Sequence, residues 1–373
     1  MLPTPAAPGS AVLVRDERGK LLGTALYSSA SQIALRLISQ EPLANDAELI
    51  SLIRQRVTQA VAYRRQLLAA ATNTNACRLI YSEADSLPGL IVDRYADILA
   101  LQALTQAMDR EDIKHAVLQQ LFTELDGEVV SAVERIEPRI RELEQLPPAS
   151  SRLLSGTKAA TVYGLNGVRF HYDALAGQKT GAFLDQRENY AAAEAYAHGR
   201  ALDMFCYQGG FALHLARRCD SITAVDSSRP ALEAAEQNAA LNVQEALPEI
   251  EWMEANAFDL LKDYSAAGRQ FETIVLDPPA FAKSKRSLDA AMSGYKELNL
   301  RALKMLPPGG ILVTCSCSYH VSETAFQQML MAAAADAGKR LWLLEKRGQA
   351  RDHPSLLSVP ETSYLKCFIC RVV

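Results

Sequence analysis

Two cysteines one residue apart are the side chains most able to do chemistry in this sequence. Cys315 and Cys317 end the apolar run "GGILVTCSCS", and His320 follows three residues later. Such thiols could be buried strand residues, a redox pair, metal ligands, or a nucleophile with an inert neighbour. Ser322 predicts a helix N-cap, and a helix N-terminus lowers the pKa of a nearby thiol. This favours Cys317 as the reactive thiol, whereas Cys315 lies inside the predicted strand and is expected to be a core residue.

An acid, two prolines and an aromatic residue end a second apolar run, "IVLDPPAF". Pro278 and Pro279 have no N–H group, so the backbone before them is held rigidly at the end of the predicted strand. Asp277 can bind an amino group or a ring nitrogen, and Phe281 can stack on a base. The motif therefore predicts a site for a nucleotide or a nucleobase.

Further polar and glycine residues follow the three preceding strands. In "ALDMFCYQGG" the pair Gly209 and Gly210 would let a ligand approach the backbone, although the sequence lacks the G-x-G-x-x-G fingerprint. Asp226 ends "ITAVD", where it could accept hydrogen bonds from ribose hydroxyls or cap the next helix. Asn256 in "EANAF" offers an amide that could bind an adenine edge. These residues are typical of a site for an adenosine-containing cofactor.

A metal site is the main competing interpretation of the cysteines. Its ligands would come from the set Cys315, Cys317, His320, Cys367 and Cys370. Structural zinc favours C-x₂₋₄-C on a tight turn, whereas one pair here is C-x-C. The other pair, "CFIC", lies in a predicted strand, where residues i and i+3 face opposite sides. We therefore predict no metal ligand in this chain.

The elements that carry these residues alternate regularly along the second half of the chain. Strands alternate with helices predicted at 210–218, 229–241, 257–267, 288–306 and 322–336, and two final strands follow. Such alternation produces right-handed βαβ units and a parallel sheet covered on both faces. Ligands of such sheets bind at the carboxyl ends of the strands, where the candidate residues lie. Asn166-Gly167 upstream predicts a hairpin turn.

The first half of the sequence predicts three smaller structural parts. Residues 1–44 contain short strands, 45–72 form a connecting helix, and 73–150 form an α+β domain that ends in a proline-containing connection at 137–151, before a domain at 151–373. Asn45 and Glu48 predict a capping box for the helix. Its arginines, at positions 54, 56, 64 and 65, could form a solvated face or contact an RNA backbone.

Composition limits the class of protein. The sequence has 39 basic and 43 acidic side chains, a net charge of −4, so any contact with nucleic acid would use a local basic face. No run approaches about 18 apolar residues, and the N-terminal AVLV is too short for a signal peptide. The seven scattered cysteines are typical of reduced thiols, so we expect a cytoplasmic protein.

Taken together, these motifs resemble the class I S-adenosylmethionine-dependent methyltransferases. "QKTGAFLDQREN" (178–189), "GYKELN" (294–299) and "YLKCFICRV" (364–372) narrow the resemblance to the ribosomal RNA large subunit methyltransferase I family. "ALYSSASQIALR" resembles the PUA domain of that family and "SEADSLPGLIVDRY" its central domain, so nearly the whole chain is covered. The resemblance implies a Rossmann-like domain with a seven-stranded mixed sheet, preceded by a small α+β domain and a PUA-like block that lacks its first segment.

The resemblance also implies the cofactor, S-adenosyl-L-methionine, and the residues that bind it. These are Gln186, Arg187, Asp203, Phe205, Tyr207, Gly209, Asp226, Asn256, Ala257, Asp277 and Pro278. On the substrate side we expect Pro279, Phe281, Lys283 and Tyr295. The sequence departs from the family at Asn256, where many relatives have Asp, and at Ala280, where some have Lys.

The family methylates C5 of a cytosine in 23S rRNA, and the "SCS" triplet aligns Cys317 with its nucleophile. C5 of cytosine becomes nucleophilic only after a thiolate adds to C6, and Asp277 suits the role of the acid at N3. The partner would be 23S rRNA or a large-subunit assembly intermediate, with a homodimer as a further expectation. Two alternatives stay open: methylation of a guanine or adenine nitrogen, which needs no thiol, and a non-catalytic RNA-binding or ribosome-assembly factor.

Overall fold

The computed structural model describes residues 6–175, 181–243, 247–282 and 285–373. The chain forms two compact units. The first contains Met1–Gly167, His171–Leu184 and Asp352–Thr362, and the second contains Val168–Phe170, Asp185–Arg351 and Ser363–Val373. Among the described residues, no helix has the length and apolar character needed to cross a membrane.

The first unit begins with the β-rich block that the sequence predicts. Its strands are β1 Ala11–Arg15, β2 Leu21–Tyr27 and β3 Leu35–Ser39, which form an antiparallel sheet in this order. Helix α1, Asp46–Leu68, follows. Asn45 caps it by accepting from the Glu48 N–H group at 3.0 Å, and the Glu48 carboxylate accepts from the N–H group of Ala44 at 2.9 Å. The predicted capping interaction is confirmed, with its return bond one residue earlier than in the standard box.

The four arginines of α1 all donate hydrogen bonds within the first unit. Arg64 is fully buried and forms a bidentate pair with Asp85, with N–O distances of 2.5 and 2.8 Å. The other three bind acceptors on neighbouring segments: Arg54 binds Gln119, Arg56 binds the carbonyl groups of Ile38 and Ser86, and Arg65 binds Glu128. These arginines therefore connect α1 to the rest of its unit.

A five-stranded sheet follows α1, with the order β4-β5-β6-β7-β8. Its strands are β4 Ala76–Tyr81, β5 Leu90–Tyr95, β6 Ile98–Ala103, β7 Ser131–Glu134 and β8 Arg152–Ser155, and its helices are α2 Glu111–Glu124 and α3 Pro138–Leu143. The segment 137–151, predicted as a connection, contains α3. Because β8 pairs with β7, the α+β part extends beyond residue 150.

A hairpin turn follows, as predicted. Strands β9 Ala160–Leu165 and β10 Val168–Asp173 flank Asn166 and Gly167, whose φ angles are 52° and 88°. Positive φ at both central residues is the conformation of a type I′ turn, for which Asn-Gly is the preferred pair.

The second unit contains a seven-stranded mixed sheet with the order β13-β12-β11-β14-β15-β17-β16. The strands are β11 Arg200–Met204, β12 Ser221–Asp226, β13 Ile250–Glu254, β14 Thr273–Leu276, β15 Ile311–Ser316, β16 Leu341–Arg347 and β17 Lys366–Val372. The first five run parallel, and β17 pairs antiparallel with β15 and β16. Strands β14 and β15 are fully buried, as expected for the centre of a sheet covered on both faces.

The helices of the second unit agree with the predicted ones to within three residues at their ends. They are α5 Gly210–Leu215, α6 Arg229–Ala240, α7 Ala257–Ala266, α8 Leu288–Met305 and α9 Glu323–Asp336, preceded by α4 Arg187–Tyr196, which the sequence analysis did not predict. The strand order and connections are those of a Rossmann-like fold, so the predicted fold class is confirmed.

Candidate active site

Four neighbouring strands end at one edge of the seven-stranded sheet. In sheet order they are β12, β11, β14 and β15, and the residues at or just beyond their ends include Asp226, Phe205, Asp277 and Cys317. Because these strands are parallel, their carboxyl ends lie side by side. The topology thus brings together the residues that the sequence placed in one site.

The loop after β11 has an unusual backbone. Phe205 and Tyr207 have φ angles of 68° and 49°, in the left-handed region that non-glycine residues rarely adopt. Gly209 follows with φ 84°, and a Cβ atom there would lie 3.1 Å from the Trp252 ring. Such backbone strain is typical of functional sites, so the loop is a strong candidate for close contact with a ligand.

Asp203 lies beneath this loop and is fully buried. Its Oδ2 accepts from the Ala212 N–H group at 2.9 Å, while its Oδ1 has no hydrogen-bond partner among the described residues. Burial, followed by the negative charge of Asp277, holds the pKa of the Asp203 carboxyl well above its usual value. An orphaned buried oxygen at this position fits a site that is completed by a polar ligand.

Asp226, at the end of β12, and Asn256, just beyond β13, both form hydrogen bonds with nearby backbone groups. Asp226 accepts from the N–H groups of Tyr207 and Ser228, each at 2.9 Å. Asn256 caps α7 by accepting from the N–H groups of Phe258 and Asp259, and its NH₂ group has no partner in the described parts of the chain. Asp226 therefore braces the strained loop, and the free amide donor of Asn256 suits an adenine ring nitrogen.

Asp277 is the central acid of the site. The Gln186 amide donates to its Oδ2 at 3.0 Å, and the Gln186 side-chain oxygen accepts from Asn189 at 2.6 Å, which fixes the amide orientation. Burial and then the charge of Asp185 raise the pKa of Asp277 to about 7, although hydrogen bonds from Gln186 and Cys315 oppose the shift. The carboxyl group can therefore carry a proton near neutral pH.

Cys317 differs from every other cysteine in the chain. All seven cysteines are in described regions, and six of them are buried, whereas Cys317 is partly exposed. Its Sγ lies 3.9 Å from the Pro278 carbonyl oxygen, directly beside the Asp-Pro-Pro motif. Ser322 caps α9 by accepting from the Ala325 N–H group at 3.1 Å, which confirms the predicted helix start. The geometry therefore favours Cys317 as the accessible thiol of the site.

Cys315 is a core residue, as predicted. It is fully buried in β15, opposite Cys367 of β17, and its thiol lowers the pKa of Asp277. Burial raises the pKa of this thiol well above its usual value, so Cys315 stays protonated. Over the described residues, no group of three or more His, Cys, Asp or Glu side chains could hold a metal ion.

The serines on either side of Cys317 form a hydrogen-bonded cluster that the sequence analysis missed. The Tyr295 hydroxyl lies 3.0 Å from both the Ser316 and the Ser318 hydroxyl oxygens, and the Ser318 hydroxyl also accepts from the Ala282 N–H group at 3.1 Å. Tyr295 is fully buried. It thus has no exposed surface for a substrate, and its contacts fix the turn that carries Cys317. The "SCS" triplet was the available signal for this cluster. Because side chains alternate between the two faces of a strand, both serines are expected to face away from the thiol.

The remaining predicted residues take different positions. Pro279 is exposed and Phe281 half-buried, with its ring centroid 4.8 Å from that of Tyr295 and 6.0 Å from that of Phe258. Arg187 is buried at the start of α4, and Ala257 is buried at the start of α7. Lys283 lies outside the described residues.

The strand order, the strained loop and the row of strand-end acids define an S-adenosylmethionine-dependent methyltransferase. The family of that description matches residues 114–370, and a PUA-like domain matches residues 1–40. Ribosomal RNA large subunit methyltransferase I of Pseudoalteromonas translucida (strain TAC 125) is 37% identical over 369 residues, which are 98% of this chain and 91% of that protein. The protein of the same name from Yersinia pestis bv. Antiqua (strain Angola) is 37% identical over 376 residues, 99% and 92% of the two chains.

This chain therefore belongs to the ribosomal RNA large subunit methyltransferase I family, and its cofactor is S-adenosylmethionine. Among solved structures, a methyltransferase-like protein complexed with SAH superposes with a TM-score of 0.81 at 20% identity and covers 99% of this chain and 93% of its own. A methyltransferase from Agrobacterium tumefaciens gives a TM-score of 0.55 at 18% identity, with 80% and 90% covered. At these identities, the structural matches support the fold alone.

Proposed function

We propose that the protein methylates C5 of a cytosine in large-subunit ribosomal RNA, with Cys317 as the nucleophile. The observation that carries this proposal is the position of the chain's one accessible thiol, 3.9 Å from the carbonyl oxygen of Pro278, the residue that follows Asp277 in the sequence. Methylation of a guanine or adenine nitrogen would need no thiol there. The names of the relatives supply the substrate class, large-subunit rRNA.

Cys317 and Asp277 would divide the chemistry between them. The thiolate of Cys317 adds to C6 of the cytosine, while the Asp277 carboxyl, whose pKa is about 7, donates a hydrogen bond or a proton to N3. Both acts place electron density on C5, which is otherwise a poor nucleophile. C5 would then take the methyl group that the cofactor supplies, a base would accept the C5 proton, and the Cys317 thiolate would leave C6 to release the methylated base.

The residues at or just beyond the ends of β11, β12 and β13 suit the cofactor. The strained loop of Phe205, Tyr207 and Gly209 would hold the methionine part, Asp226 the ribose, and Asn256 with Ala257 the adenine. S-adenosylmethionine, when bound, supplies the methyl group. Gln186 would act indirectly here, because its amide orients Asp277.

A covalent trap tests the proposal. RNA containing 5-fluorocytosine lacks the C5 proton, so the wild-type protein is expected to remain covalently bound to it, whereas Cys317→Ala forms no adduct and loses at least about 10³-fold in methyl transfer. Cys370→Ala, which removes a buried thiol of β17, is the matched control and keeps both properties.

The same experiment separates the alternatives. Methyl transfer retained by Cys317→Ala would contradict the proposal and favour a nitrogen target. Failure of the wild-type protein to bind S-adenosylmethionine in calorimetry would instead favour a non-catalytic assembly factor. Naked 23S rRNA and large-subunit assembly intermediates are both offered as substrates, and bisulfite mapping of the product identifies the base.

A further inference from the structure

A buried lysine lies behind the turn that carries Cys317. Lys366 is the first residue of β17 and pairs with Ser316 of β15 in the antiparallel ladder. Its ammonium group donates to the Ser318 carbonyl oxygen at 2.7 Å and to the Tyr364 carbonyl oxygen at 2.8 Å. Ser316 and Ser318 are the residues on either side of Cys317. The strand pairing with Ser316 and the hydrogen bond to Ser318 therefore hold the ammonium group at the base of the turn that carries Cys317.

The electrostatic setting of this ammonium group is unusual. Only 8% of Lys366 is exposed, and within the described residues no carboxylate forms an ion pair with it. Burial lowers the pKa of Lys366 to about 8, and the charge of Cys317 is the largest opposing influence, followed by that of Glu323. A buried cation without a carboxylate partner destabilises a fold, and such groups are concentrated at functional sites.

We propose that Lys366 is a positioning residue whose ammonium group favours the thiolate form of Cys317. The two carbonyl groups that it binds fix its place at the Cys317 turn, and because both are uncharged they do not neutralise its positive charge. A cation near a thiol lowers the pKa of that thiol and raises the fraction present as thiolate. The role in methyl transfer rests on the proposed function, whereas the effect on the thiol does not.

Other groups around Cys317 either favour or disfavour its thiolate form. The N-terminus of α9 favours the thiolate, as Lys366 does. Asp277, beyond the end of β14, becomes negatively charged above about pH 7, and Glu323 competes for the charge of Lys366. Tyr295 of α8 and Cys315 of β15 stay neutral because burial raises the pKa of both groups. Lys366 is therefore a buried cation that interacts with this thiol.

The rate of alkylation of Cys317 tests the proposal without RNA or cofactor. Iodoacetamide modification is followed by mass spectrometry of the Cys317 peptide as the pH is varied, in the wild type and in Lys366→Met. We expect Lys366→Met to move the midpoint of the rate profile up by about 1 pH unit, which is about a tenfold slower reaction at neutral pH. Lys346→Met is the matched control, because it removes an exposed lysine of β16 that pairs with Glu323.

Several outcomes decide the matter. An unchanged alkylation profile in folded Lys366→Met overturns the proposal, and so does an equal shift in Lys346→Met. If Lys366→Met does not fold, Lys366→Gln, which keeps a hydrogen-bond donor but no charge, is judged by the same profile. A shifted profile together with methyl transfer retained by Cys317→Ala would support the inference about the thiol and refute the proposed function, so the two failures are distinguishable.

Discussion

Asp277 is expected to make the second unit less stable as the pH rises, and Asp277→Asn should remove this dependence. The folded protein holds the Asp277 proton up to about pH 7, whereas an unfolded chain releases it near its usual value of 3.8. Between these values the folded state binds more protons, so the contribution of this group to stability is complete below about pH 4 and is lost by about pH 7. Asparagine keeps the acceptor for Gln186 and carries no charge.

The expected change in the free energy of unfolding follows from the pKa shift of Asp277. Each unit of pKa corresponds to about 1.4 kcal/mol, so a shift from 3.8 to about 7 sets an upper limit of about 4 kcal/mol above pH 7. Asp277 is only partly buried, and solvent screening reduces the effect, so we expect roughly half of this limit. Relative to wild type, Asp277→Asn should therefore be more stable by about 2 kcal/mol at pH 8 and by clearly less at pH 5.

Tryptophan fluorescence reports on the relevant unit alone. Both tryptophans of the chain, Trp252 on β13 and Trp342 on β16, belong to the second unit. Urea unfolding followed by fluorescence at pH 5 and pH 8 thus measures the stability of the sheet that carries Asp277. Asp263→Asn, at an exposed position of α7, is the control and should change stability equally little at both pH values.

The pH dependence of the difference is the decisive quantity. An equal gain at both pH values would mean that the Asn side chain packs better, without any role for ionisation. A gain larger at pH 5 than at pH 8 would refute the raised pKa of Asp277, and with it the assignment of Asp277 as the proton carrier at N3.

Two further substitutions test the packing around the site. Tyr295→Phe removes the hydroxyl shared by Ser316 and Ser318 and is expected to cost about 1–2 kcal/mol in urea unfolding and to slow methyl transfer, while a variant with unchanged stability and activity would exclude a positioning role. Gly210→Ala places a Cβ atom 2.5 Å from the Tyr190 hydroxyl and should cost about 1–3 kcal/mol. Gly294→Ala, in α8, meets only ordinary contacts and should gain up to about 1 kcal/mol, so equal effects of the two alanines would contradict the close contact.

The parts of the fold that sequence reasoning predicted are those with strong local signals. The buried strands β14 and β15 are continuous apolar runs that end at Asp277 and Cys317, and the rule that ligands bind at strand ends then placed these residues together. Asn166-Gly167 determines a hairpin turn and Ser322 the start of α9, each through contacts within three residues of sequence. The segment 137–151 shows the limit, because two prolines suggested a connection whereas tertiary pairing of β8 with β7 extends the sheet beyond it.

Lys366 shows why the electrostatics of the site could not be predicted in the same way. It binds the Ser318 carbonyl group across 48 residues of sequence, and only the antiparallel pairing of β17 with β15 brings the two together. Sequence reasoning assigned the activation of Cys317 to the N-terminus of α9, a local feature, because no local pattern marks a buried lysine. A helix N-terminus and a buried ammonium group would act on the thiol additively, whereas only the ammonium group can be removed by a single side-chain substitution. The difference between the alkylation midpoint of Lys366→Met and the pKa of an ordinary thiol, about 8.5, therefore measures how much of the activation is left to the helix.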